Sequence, residues 1–134
     1  MQAMLHHVRF FEFAGEAHEN NACRKAKEWL DQNHIDYELI DLAQKTITPA
    51  EFIRWINDSG LKNDELITPG NDALRDQVAG MDVKELGDFL ASHLHDINRP
   101  IIEIDRNTVL FGFEESKYAR HLGDTNERYM KDKA

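Results

Sequence analysis

Two runs of β-forming residues separated by one amphipathic helix, at the start of the chain, restrict the fold more than any other feature. "HVRFFEF", His7 to Phe13, is rich in β-branched and aromatic residues and is broken by "AGE", so it reads as a first strand. Ala22, Cys23, Ala26, Trp29 and Leu30 then recur at three- and four-residue spacing, with Arg24, Lys25, Lys27 and Glu28 on the other face. This spacing predicts a helix from about Asn21 to Asn33. "IDYELIDL", Ile35 to Leu42, alternates as a second strand. Two strands joined through a helix pair in parallel by a right-handed crossover.

The rest of the chain completes an α/β plan. Thr48 is placed to cap, Pro49 suits the first helical position, and Glu51 stands where a capping box needs its acid; the helix runs through Phe52, Ile53, Trp55 and Ile56 to a stop at Gly60. "NDELITPGNDALRDQVAG" reads as an irregular connector with a Pro69-Gly70 turn flanked by two short helices. Asp82 and Glu85 form a second capping pair, and Val83, Leu86, Phe89, Leu90 and Leu94 give an apolar face to about His95. "RPIIEIDRNTVLFGF" then reads as strand, tight turn at Asp105 to Asn107, and strand from Val109 to Phe113. A closing helix in "EESKYARHLG" is expected to end at Gly123, followed by a frayed tail over 124–134.

Composition sets the class of partner. A chain of 134 residues supports one compact domain, expected here over residues 1–123. With 31% charged residues, a formal charge of -9 and apolar residues in short periodic groups, a membrane span is excluded and direct attraction to nucleic acid phosphates is disfavoured. The expected partner surface is neutral or basic. "MQAMLHHVRF" lacks a charged segment followed by a long apolar run, and Cys23 is the only cysteine, so no internal disulfide forms. Both features lead to an expectation of the cytoplasm, where a lone thiol stays reduced.

Two stretches carry a family resemblance. "CRKAKEWLDQNHIDYELIDL" is similar to the first helix and second strand of Spx-like proteins, and "NRPIIEIDRNTVLFGF" resembles the Arg-Pro-Ile-Ile strand and Gly-Phe/Tyr ending of the arsenate reductase (ArsC)/Spx family. The resemblance covers roughly His7 to Gly123. It implies a thioredoxin-like fold: a four-stranded mixed sheet flanked by helices, with a helical insertion between a βαβ half and a ββα half. It also implies that Pro100 is the cis-proline beside the active-site loop.

The family's catalytic cysteine sits where the first loop meets the helix, where the helix N-terminus and arginines lower the thiol pKa and cradle an oxyanion. A gapless match to the Spx pattern Cys-x-x-Cys-Arg-Lys-Ala puts Asn20 at that cysteine and Cys23 at the second. A register based on relatives that read Cys-x-Asn-Asn-Ala puts His18 there instead. Neither supplies a thiol. Arg99 matches one oxyanion-holding arginine, whereas Pro69 and Gly70 replace a Thr-Arg pair, and Leu110 and Phe111 fill the region of a third arginine.

Each candidate also has a plain structural reading. Cys23 reads as a small buried hydrophobe or as a reactive thiol. Arg99 reads as an anion-site remnant or as the partner of a carboxylate. Asn20 and Asn21 cap the helix or, with Arg99, contribute to an anion site. His18, Glu16 and Glu19 read as solvated loop residues rather than metal ligands, and His93 and His95, two apart on a predicted helix, do not share a face. Trp29 and Trp55 read as core. No metal and no cofactor are expected. Three functions follow: a non-catalytic Spx-like interaction module, for which the resemblance implies the C-terminal domain of the RNA polymerase α subunit as partner; an oxyanion-binding pseudoenzyme; or a divergent arsenate reductase or glutathione-linked oxidoreductase using Cys23.

Overall fold

Alternation along the strands decides which of two cores each side chain enters. The computed structural model describes residues 6–123. Strands β1 (Val8–Glu12), β2 (Glu38–Asp41), β3 (Ile101–Ile104) and β4 (Thr108–Phe111) form one sheet in the order β2-β1-β3-β4. β1 and β2 are parallel, while β3 runs antiparallel to β1 and β4. Val8, Phe10, Ile102 and Ile104 pack with Cys23, Ala26 and Leu30 of α1 (Asn21–Gln32) and with Tyr118 and Leu122 of α5, which is helical over 115–123. Phe11, Ile101 and Val109 face the opposite way, onto α2 (Pro49–Ser59) and α4 (Val83–Ala91). The fold is the expected four-stranded α/β sheet flanked by five helices, with α2, α3 (Asp72–Ala79) and α4 inserted between its halves.

The helix boundaries follow their caps, with two corrections. Asn20 accepts a hydrogen bond from the Cys23 backbone N–H at 3.0 Å and so starts α1. Thr48 accepts from the Glu51 backbone N–H at 3.2 Å, and Gly60, at φ 66, ends α2. The capping box expected there is only half made, because the Glu51 carboxylate accepts from Arg54 Nη2 at 2.9 Å instead. The Asp82 and Glu85 box is complete, with bonds of 2.8 and 3.0 Å. α4 stops at Ala91 rather than near His95, because Ser92 Oγ donates to the carbonyls of Asp88 and Phe89 and the chain tightens into a 3-10 turn at Leu94–Asp96.

The strands are shorter than the β-forming runs that contain them. β2 pairs only over Glu38 to Asp41, because the Ile35 N–H bonds the Leu30 carbonyl and closes the end of α1. β4 ends at Phe111, and Gly112, at φ 79, turns the chain toward α5; a Cβ there would lie 2.5 Å from Asn98 Nδ2. In the connector, a 3-10 turn at Asn63–Leu66 leads to α3, and Asn63 Nδ2 donates to the carbonyls of Val78 and Met81. The tail expected over 124–134 lies outside the described residues.

One buried acid ties sheet to helix. Glu103 on β3 stands opposite Arg9 on β1 and is 1% exposed. It accepts from Arg9 Nε at 2.7 Å, Arg54 Nη2 at 2.7 Å and Trp55 Nε1 at 3.1 Å. Trp55 is therefore a core residue with its N–H satisfied.

Candidate functional site

The site forms where β1 ends and α1 begins. After Phe13 the chain makes a 3-10 stretch, Ala14–Glu19, before the Asn20 cap. Across from it the Arg99–Pro100 peptide bond is cis. Between these segments lies a cavity of about 340 Å³, lined by Asn20, Thr68, Pro69, Asn98 and Arg99. Phe111, Phe113 and Glu114 also line it. Asn20 and Arg99 therefore meet at one cavity. Asn21 does not line it; its Oδ1 accepts from Arg24 Nη2 on the exposed side of α1.

Arg99 is held by several contacts. Its Nη2 donates to the His95 carbonyl at 3.2 Å, its Cζ lies 5.1 Å from the centre of the Phe13 ring, and Nη1 lies 3.7 Å from Glu16 Oε1. Its Nε is buried with no acceptor among the described residues. Glu16 also meets His95 Nε2 at 3.1 Å, and the His95 ring stacks on Phe13 at 3.8 Å. Glu16 is exposed, as a loop residue, and in addition bridges to His95 and Arg99. His18 is exposed on the same stretch. His93 stacks on Phe89, so the two histidines diverge. Among the described residues no group of three or more His, Cys, Asp or Glu could hold a metal ion.

Cys23 is directed into the core. It is 1% exposed, and burial pushes its thiol up to about 12, reinforced by the nearby Glu12 carboxylate and opposed by Arg99 and Lys27. At neutral pH it is a thiol, not the thiolate that attacks electrophiles or binds soft metals. Glu12 is itself 1% exposed. The Lys27 ammonium lies 2.5 Å from its Oε2 as a charge contact, but neither carboxylate oxygen is met in hydrogen-bond alignment among the described residues. Trp29 is half-buried and packs edge-on against Tyr118.

Two features of the sequence need refining. Phe111 lines the cavity where the family resemblance places an arginine, whereas Leu110 is buried in the core on the α1 side of the sheet. Glu12, Thr68, Asn98, Phe113 and Glu114 were not foreseen. A signal existed for Glu12 alone, since in a strand it shares the face of the apolar Val8 and Phe10. The other four are brought together only by the fold.

Among the described residues that line the cavity, Arg99 is the cation beside the first turn of α1, and no thiol is present. Comparison with known proteins places this geometry. No family model matches the sequence. The global transcriptional regulator Spx 1 of Bacillus cereus is 25% identical over 107 residues, covering 78% of this chain and 81% of the regulator. Spx 2 of the same species is 27% identical over 106 residues, covering 75% and 79%. The crystal structure of an ArsC family related protein from Bacteroides fragilis superposes with a TM-score of 0.71 at 24% identity, covering 85% of this chain and 97% of that one. The chain is similar to the Spx regulators at about a quarter identity and shares the fold of the ArsC family related structure. In this chain the thiol is enclosed beneath α1, and the cavity beside the cis-proline is lined by two phenylalanines and a single arginine. Among its described residues no helix is long and apolar enough to cross a membrane.

Proposed function

We propose that this chain is a non-catalytic, Spx-like regulatory or protein-interaction module of the cytoplasm, with the C-terminal domain of the RNA polymerase α subunit as its candidate partner. The observation that carries this reading is the state of its only cysteine: Cys23 is 1% exposed with its pKa pushed up to about 12. Asn20, at the position the resemblance gives to the nucleophile, uses its side-chain oxygen to cap α1. A reductase or glutathione-linked reaction through Cys23 needs an accessible thiol with a lowered pKa, and both properties run the other way. The formal charge of -9 suits a partner with a basic face. The test is a calorimetric titration with the polymerase α C-terminal domain, repeated with Cys23→Ser. Micromolar binding unchanged by the substitution supports a redox-independent module; absence of binding by either form overturns the proposed partner.

Arg99 supports a second reading, in which the cavity binds a small oxyanion without turning it over. Its buried Nε has no acceptor among the described residues and it lines the cavity beside the first turn of α1. Inorganic phosphate should then raise the melting temperature in a concentration-dependent way, and a flat response would remove this reading.

A further inference from the structure

Resting on the oxyanion-binding reading, we propose that Glu16 is an internal counter-ion that competes with an external oxyanion for Arg99, so that the Ala14–Glu19 stretch acts as an autoinhibitory strap through its hold on that arginine. Three observations converge on this. The Glu16 carboxylate is the acid that faces the guanidinium, with Oε1 3.7 Å from Nη1. That separation is an ion pair without a hydrogen bond, and the buried Nε is left without an acceptor, so Arg99 keeps donor capacity that Glu16 does not use. The strap is also anchored independently of Arg99. His95 Nε2 meets Glu16 Oε2 at 3.1 Å while its ring stacks on Phe13, and the Ala14 N–H donates to Asp41 Oδ1 at 3.2 Å.

A carboxylate held in this way neutralises the arginine at long range yet is displaceable. The Glu16 side chain is 48% exposed, so its pair with Arg99 is weak and a small anion that reaches the free donors gains where Glu16 does not. Binding of the anion requires the Glu16 carboxylate to withdraw from the guanidinium, because two negative groups at one arginine repel each other.

The experiment is a thermal-shift titration of the full chain with inorganic phosphate at constant ionic strength, comparing wild type, Glu16→Gln, Arg99→Gln and the double variant. Glu16→Gln should tighten the apparent phosphate affinity by about two- to five-fold, the range expected for loss of an exposed ion pair. Both variants lacking Arg99 should give flat curves. If Glu16→Gln follows the wild-type curve while Arg99→Gln is flat, the strap is overturned and the oxyanion reading stands. If no form responds, the oxyanion reading fails and the strap falls with it. A phosphate response in the double variant equal to that of Glu16→Gln puts the anion elsewhere and also overturns the proposal. Where Arg99→Gln weakens the fold, Arg99→Lys, which keeps the charge but loses the planar fork, replaces it and should retain only a reduced response.

Discussion

Glu12, at the end of β1, and Glu103, in β3, are both 1% exposed, but they lie on opposite faces of the two central strands and are treated in opposite ways. Glu103 accepts hydrogen bonds from Arg9, Arg54 and Trp55, so one carboxylate joins β1, β3 and α2. Glu12 meets one cation, Lys27 of α1, and lies beside the Cys23 thiol, without a set of strong aligned donors. Removing an acid from water costs several kcal/mol in either place, and only a full set of aligned donors offsets that cost. Glu103 thus reads as a structural tie. Glu12 lies under the candidate site, where its charge helps to keep Cys23 protonated.

The largest test of this contrast is Glu103→Ala. It leaves Arg9 and the Trp55 N–H without their acceptor and should cost about 3 kcal/mol in urea unfolding. That is the low end for breaking a buried pair, because Arg54 is 39% exposed and can return to water. Glu12→Met should stay near neutral or stabilise by up to about 1–2 kcal/mol, since Lys27 is 28% exposed and is able to swing outward. Equal losses at the two sites would break the comparison.

Acid sharpens it further. Burial tends to raise the Glu103 pKa, but hydrogen bonds from Trp55, Arg54 and Arg9 outweigh burial and hold the carboxyl below its ordinary value of 4.5. A folded pKa below the unfolded one gives stability that is present above the unfolded pKa and lost as pH falls through the folded one. Urea midpoints measured from pH 7 down to pH 3 should therefore fall less steeply for Glu103→Gln than for wild type, with the difference opening below about pH 4.5. A parallel pair of curves would mean that Glu103 titrates alike in both states.

The smallest effect concerns the thiol. Wild-type Cys23 should resist iodoacetamide at pH 8 in the native state, labelling only as fast as the fold opens. Glu12→Gln removes the second cause of the raised pKa but leaves burial, the largest, in place, so labelling should quicken by less than about tenfold. Rapid labelling of the wild type would show an accessible thiol and return weight to a reductase.

Much of this architecture was legible because it rests on local rules. Thr48-Pro49, Asp82 with Glu85, and Gly60 mark helix ends through their own side chains or backbone freedom, and all three act where expected. The mixed sheet followed from a helix between two β runs and a hairpin at the end. The errors arose where a short-range hydrogen bond overrode the hydrophobic pattern: Ser92 ended α4 early by turning back on its own helix, and Ile35 closed α1 instead of lengthening β2. The candidate site was legible only in part. Asn20, Arg99 and Pro100 carry a motif, but Glu16 meets Arg99 across 82 intervening positions in the numbering, and no periodicity signals a contact of that range.

The sheet also acts as a partition. Val8 and Phe10 belong to one core and Phe11 to the other, so the packing around α1 and α5 shares few neighbours with the packing around α2 and α4. Losses from substitutions well separated on opposite sides should add rather than amplify one another. A substitution that loosens the packing around the enclosed thiol should therefore leave the inserted helical layer folded much as before.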